Sequence, residues 1–197
     1  MNNNIERVAV LVDREDLLAK LSKRKSSSLN DNGFIKFSIW EHFNDNVLSC
    51  VKRRLGHDRV KHMGTWMFVG KRVDLFREKQ QEERVAEQNL MSHMKKIDSL
   101  FGFIIKYGIS YKAENEIHHK GLDVNLVCQM LLGAFEDEYD ICILISDDDE
   151  FIPAVEIAQN YYGKQIFHAG FEPDRLRAAC FGNIPFEAEE FGKEVFG

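Results

Sequence analysis

The sequence predicts an α/β fold, a sandwich of helices around a mainly parallel central sheet. Three observations predict it. Short apolar runs alternate with longer stretches at helical spacing. Two of the runs, residues 7–12 after the opening Arg7 and residues 141–145, are apolar, as strands covered on both faces must be. Both lead into carboxylates, Asp13 and the acids at 147–150, and open parallel sheets bind ligands at the carboxyl ends of their strands.

The elements follow in order. Residues 7–12 (RVAVLV) read as a buried strand. Residues 22–33 are rich in Ser, Asn and Lys and read as a loop. Residues 36–55 place Phe37, Trp40, Phe43, Val47, Val51 and Leu55 at helical spacing, and Gly56 stops the helix. Residues 65–69 read as a second strand, 74–100 as a long charged helix, and 103–111 as a third strand. After a polar stretch at 112–120, residues 123–135 form an amphipathic helix. Residues 141–145 (ICILI) are the most apolar strand, 151–162 a helix ended by Gly163, 164–169 a strand, and 173–180 a short helix before an acidic tail.

Composition narrows the class. With 44% hydrophobic residues and three Pro, the 197-residue chain can build a core, and it reads as a single domain. No apolar run nears the ~20 residues that span a bilayer, so no membrane partner is expected. Four Cys stand singly, which suits reduced thiols in a cytoplasmic protein. The net charge of −6 is unevenly spread. Residues 20–63 hold ten Lys/Arg and four acids, a balance of +6 that leaves −12 elsewhere. A basic segment beside an acidic body suits phosphate contact next to a metal-binding cluster, although a solvated surface would look similar.

The carboxylates carry the chemistry. If the two buried strands are neighbours, Asp13 and Asp148 share a crevice, with Asp123 opening a helix nearby. Crowded carboxylates repel one another unless a cation or protons neutralise them. Oxygen-rich clusters suit Mg²⁺ or Mn²⁺. The same acids also serve as helix N-caps, the reading we favour for Glu15 and Asp16. Lys120 is placed to meet a phosphate, and Ser146 to hydrogen-bond a phosphate or cap the following helix. His118 and His119 lack zinc spacing and read as surface. His168 reads as a packed strand residue. Trp40, Phe43 and Trp66 read as core rather than as base-stacking platforms.

Three motifs in order resemble the NYN domain of the LabA-like family, within the PIN-like nuclease superfamily. Val8 to Leu17 resembles the opening strand, with its Asp-x-x-Asn-Leu pattern. Lys120-Gly121-Leu122-Asp123 matches Lys-Gly-x-Asp. Ser146-Asp147-Asp148-Asp149-Glu150-Phe151-Ile152-Pro153 resembles Ser-Gly-Asp-x-Asp-Phe-x-Pro. Gly163-Lys164-Gln165-Ile166 then resembles the usual entry to the next strand. The likeness runs from about Val8 to Ala169 and weakens through 20–63, which reads as an enlarged basic insertion. It implies a PIN-like three-layer sandwich and metal-dependent hydrolysis of RNA, preferably single-stranded. It implies that Asp13, Asp123, Asp148 and Glu150 hold Mg²⁺ or Mn²⁺ and act in catalysis. Lys120, Ser146, Lys23, Arg24 and Lys25 would then contact the substrate.

The departures are Asp16 for Asn, Asp147 for Gly, Glu150 for Asp, and Gln129 where an acid is common. The gained acids at 16 and 147 are candidates to compensate for Gln129. If they do not, the alternative is a non-catalytic module of the same fold that binds RNA or protein. A phosphatase or DNA nuclease using the same acids is a third reading. The long charged helix at 74–100 offers a face for a second copy, making a homodimer.

Overall fold

Seven strands form one sheet in the computed structural model, which describes residues 5–23, 29–30, 34–56, 58–72, 81–113, 116–171 and 175–185. The strands are β1 (Glu6–Asp13), β2 (Val60–Arg72), β3 (Phe103–Ala113), β4 (Glu116–Lys120), β5 (Ile141–Ile145), β6 (Gln165–Gly170) and β7 (Gly182–Pro185). Their spatial order is β4-β3-β2-β1-β5-β6-β7. Six are mutually parallel, and β4 alone runs antiparallel, against β3. This is the expected α/β architecture.

The helices are α1 (Arg14–Lys23), α2 (Phe37–Leu55), α3 (Gln81–Phe101), α4 (Leu122–Phe135), α5 (Ile152–Asn160) and α6 (Arg175–Ala179). The alternation of β1 divides them into two layers. Val8, Val10 and Val12 face the core under α1, α2 and α3, while Ala9 and Leu11 face the core under α4, α5 and α6. The central strand β5 does the same with Ile141, Ile143 and Ile145 on one side and Cys142 and Leu144 on the other. Trp40 and Phe43 of α2 meet Phe103 of β3 with ring centroids 5.3 and 5.6 Å apart, so both are core, as expected.

Four elements differ from the sequence reading. Residues 14–23 form α1, a helix short enough to hide between a strand and a polar loop. Residues 116–120 form β4, whose EIHHK sequence lacks an apolar run because an edge strand needs only one covered face. The strand β2 extends well beyond 65–69, and 182–185 adds β7. The reading of 74–80 as helix lies outside the described residues.

Two glycines set the approach of α4 to the sheet. Gly121 adopts φ 80°, a left-handed conformation that turns β4 sharply into the helix. Gly108 of β3 leaves room for Leu122, and a Cβ there would lie 2.7 Å from the leucine's branch atoms. At the N-terminal edge of the sheet, Arg7 grips Asp140: its Nε meets Oδ2 at 3.0 Å and its Nη2 meets Oδ1 at 2.7 Å. The Asp140 carboxylate also accepts the Arg7 backbone N–H. The fork holds the Asp140 carboxyl below the usual carboxylate range. Gly108→Ala is expected to lower unfolding stability by about 1–3 kcal/mol through overpacking, measured by urea denaturation.

Candidate active site

The chain leaves β2 and β3 on one side of β1 and then crosses to β5 on the other. The carboxyl ends of β1 and β5 therefore flank the crevice at which the strand order reverses. Pairing of Val12 with Ile145 brings Asp13 and Ser146 level, one residue further on. Both continue the row that faces α4. Ser146 Oγ donates to Asp13 Oδ2 at 3.2 Å and accepts the Asp148 backbone N–H, also at 3.2 Å.

Asp13 is buried and also caps α1, its Oδ1 accepting the N–H groups of Glu15 and Asp16, each at 3.2 Å. Burial pushes its carboxyl up to about 7. The N–H of Asp16 and the Ser146 hydroxyl oppose that rise, while the negative charges of Asp16 and Asp123 add to it. Asp123 sits half-buried in the first turn of α4. Asp148 caps a single 3-10 turn (Asp149–Phe151), its Oδ1 accepting the Glu150 N–H at 2.9 Å. Ser146 thus links the Asp13 carboxylate to the Asp148 backbone, and Asp123 lies within electrostatic reach of Asp13.

The other predicted residues fall elsewhere. The Glu150 side chain is exposed on the 3-10 turn. Lys120 is exposed at the end of β4, immediately before the turn into α4, and Lys23 is exposed at the last position of α1. Arg24 and Lys25 lie outside the described residues. The basic group Lys52, Arg53, Arg54, Arg59 and Lys61 sits where α2 gives way to β2, at the N-terminal edge of the strands and opposite the crevice.

The acids gained at 16 and 147 are engaged within the protein. Asp16 Oδ2 accepts the Asp147 N–H at 2.8 Å. Burial raises the Asp16 carboxyl above its ordinary value, opposed by that N–H and by the charge of Lys20. The Asp147 carboxylate is buried and meets Lys20 Nζ at 3.2 Å, His168 Nε2 at 3.1 Å and the Phe171 N–H at 3.1 Å. Burial alone would raise Asp147, yet the bonds from His168, Lys20 and Phe171 outweigh it and hold the carboxyl low. Gly170 has no Cβ because one would overlap the Asp147 carboxylate and the His168 ring. Asp149 is engaged too, capping α6 through the Leu176 N–H at 3.0 Å.

Sequence reasoning missed Lys20 and His168 as parts of this neighbourhood and read Glu15 as a helix-end acid. Glu15 Oε1 accepts the Gly70 N–H at 3.1 Å and pairs with buried Arg14 at 2.7 Å, tying α1 to the end of β2. Nothing in spacing announces the Asp147–His168 pair, which strand adjacency creates.

The donor chemistry fits a hard divalent cation. Asp13, Asp123 and Asp148 offer carboxylate oxygens, and burial disfavours the ionised form of Asp13. Among the described residues, no three His, Cys, Asp or Glu side chains are already gathered as a ligand set.

A mostly parallel sheet flanked by helices defines an α/β class consistent with a PIN-like fold. The NYN domain family model matches residues 7–186, and the chain belongs to that family of PIN-like nucleases. The fold is similar to the crystal structure of a protein of unknown function from Vibrio parahaemolyticus. That similarity has a TM-score of 0.56 at 14% identity, covering 100% of this chain and 99% of that one. No curated protein matches.

Two outcomes are expected from these bonds. An acid that holds its proton more tightly when folded loses stability as pH rises from its unfolded value, near 4, through its folded value. Between pH 5 and pH 8 in EDTA the protein should therefore lose melting temperature relative to Asp13→Asn, while His62 and His93, held low by burial, act in the opposite direction in both proteins. Separately, Lys20→Met leaves the buried Asp147 carboxylate short of one charged partner. It should cost about 1–3 kcal/mol in chemical denaturation.

Proposed function

We propose that this protein is a metal-dependent ribonuclease of the LabA-like type, hydrolysing phosphodiester bonds of single-stranded RNA. The observation that carries the reading is the buried Asp13 carboxyl at the reversal point of the sheet, linked through Ser146 to the Asp148 backbone and within electrostatic reach of Asp123. Asp13, Asp148 and Asp123 would hold Mg²⁺ or Mn²⁺, with Glu150 at the mouth. Such an ion supplies an activated water and neutralises charge developing on the phosphate.

The chain's own residues do the rest. Ser146 holds Asp13 Oδ2 and the Asp148 backbone in one arrangement, and the Glu150 N–H orients the Asp148 carboxylate. Lys20 neutralises Asp16 and Asp147 from within. Lys120 and Lys23 present ammonium groups to the RNA backbone, and unpaired RNA leaves that backbone accessible. We read the chain as one unit with 20–63 as a basic insertion. Its reduced thiols suit the cytoplasm.

The test is cleavage of end-labelled single-stranded RNA with Mn²⁺, Mg²⁺ or EDTA. Cleavage should require the metal and disappear in Asp148→Asn. Ser146→Ala should retain a weakened activity, lower by about 10–100-fold, with the fold intact by circular dichroism. Folded protein that binds Mn²⁺ yet cleaves nothing would favour the non-catalytic module. Preference for DNA would favour the third reading.

A further inference from the structure

The outer face of α4 and α5 is apolar where a solvated helix should be polar. Phe135 is 69% exposed, Tyr161 82%, Val124 63% and Leu132 56%, with Ile157 and Tyr162 also exposed. Phe135 and Tyr162 meet edge to face with centroids 6.2 Å apart, so the two helices share one patch. It amounts to roughly 600 Å² of apolar surface, the upper end of what a monomer shows. Along α4, Val124, exposed Cys128, half-buried Leu131 and Phe135 recur at intervals of four, three and four, the spacing that receives another helix.

Charge selects the occupant. Neither α4 nor α5 contains Lys or Arg, and Glu136, Glu138 and Glu156 are exposed beside the patch. An acidic rim repels RNA phosphate. A second copy would bring the same acids face to face across a two-fold axis. The chain's own residues 186–197 hold four Glu against one Lys and suit the face no better. We propose that the α4–α5 face docks an amphipathic helix of a partner protein, with apolar anchors flanked by Lys or Arg.

Three labelled peptides as long as α4 test this by fluorescence anisotropy on the full chain. One is a Leu/Lys amphipathic helix, one its Leu/Glu counterpart, and one a Ser/Lys peptide of equal charge. The Leu/Lys peptide should bind at least about tenfold tighter than either control, and lose that margin on Phe135→Ser with Tyr161→Ser. Circular dichroism must show the double variant folded. The proposal is overturned if no peptide binds, if Ser/Lys binds as well, or if the double variant binds like the parent. It is also overturned if sedimentation shows a dimer that the double variant dissociates, because the occupant is then a second copy. Loss of RNA cleavage has no bearing on any of these readouts.

Discussion

A carboxylate that caps a helix from inside a sheet is the constraint on which the site depends. Asp13 ends β1 and begins α1, so its oxygens are committed to Glu15, Asp16 and Ser146 before any ligand arrives. Those three bonds fix its direction while burial works against its charge. Both follow from one fact of topology: β1 lies at the centre of the sheet, where the chain changes sides. A carboxylate at the edge would be better solvated and less demanding of a cation.

The acids of this crevice divide into two populations. Asp16, Asp147 and Asp149 accept N–H groups or cations of the protein itself. Asp13 and Asp148 also accept N–H groups of the protein, but no cation of the protein is paired with either in a salt bridge among the described residues. Counting acids in the sequence cannot separate these groups, since all of them lie close to the same motifs. The division arises from side chains contributed elsewhere, above all Lys20 and His168. It also bears on the departures from the family pattern: the carboxylate gained at 147 is consumed by internal partners, so it does not stand in for an acid at 129.

The fold was largely legible because buried parallel strands leave an unmistakable mark. Residues 7–12 and 141–145 have no polar residue between Val8 and Val12 or between Ile141 and Ile145. The strand β4 escaped because Glu116–Lys120 carries its polar residues at an edge, and α1 escaped because its three leucines, Leu17, Leu18 and Leu21, stand among charges in a short segment. Asp13, Ser146 and Asp148 were legible from their places after strands. The basic segment was legible as composition but not as position, because its Lys52–Lys61 part follows α2 to the opposite edge.

The grip of Arg7 on Asp140 lies at the far pole of the sheet, about 20 Å from Asp13 along β1. It sets the alignment of β1 against β5 at the first residues to pair. Side chains alternate between faces, so a slip of a single residue would turn Asp13 toward the helices of the other layer and leave Ser146 without its acceptor. The fork therefore favours the native register over a one-residue slip. A chain that closes out of step has no crevice at all, rather than a poor one, and fidelity at the base of the sheet is inherited by the chemistry at its top.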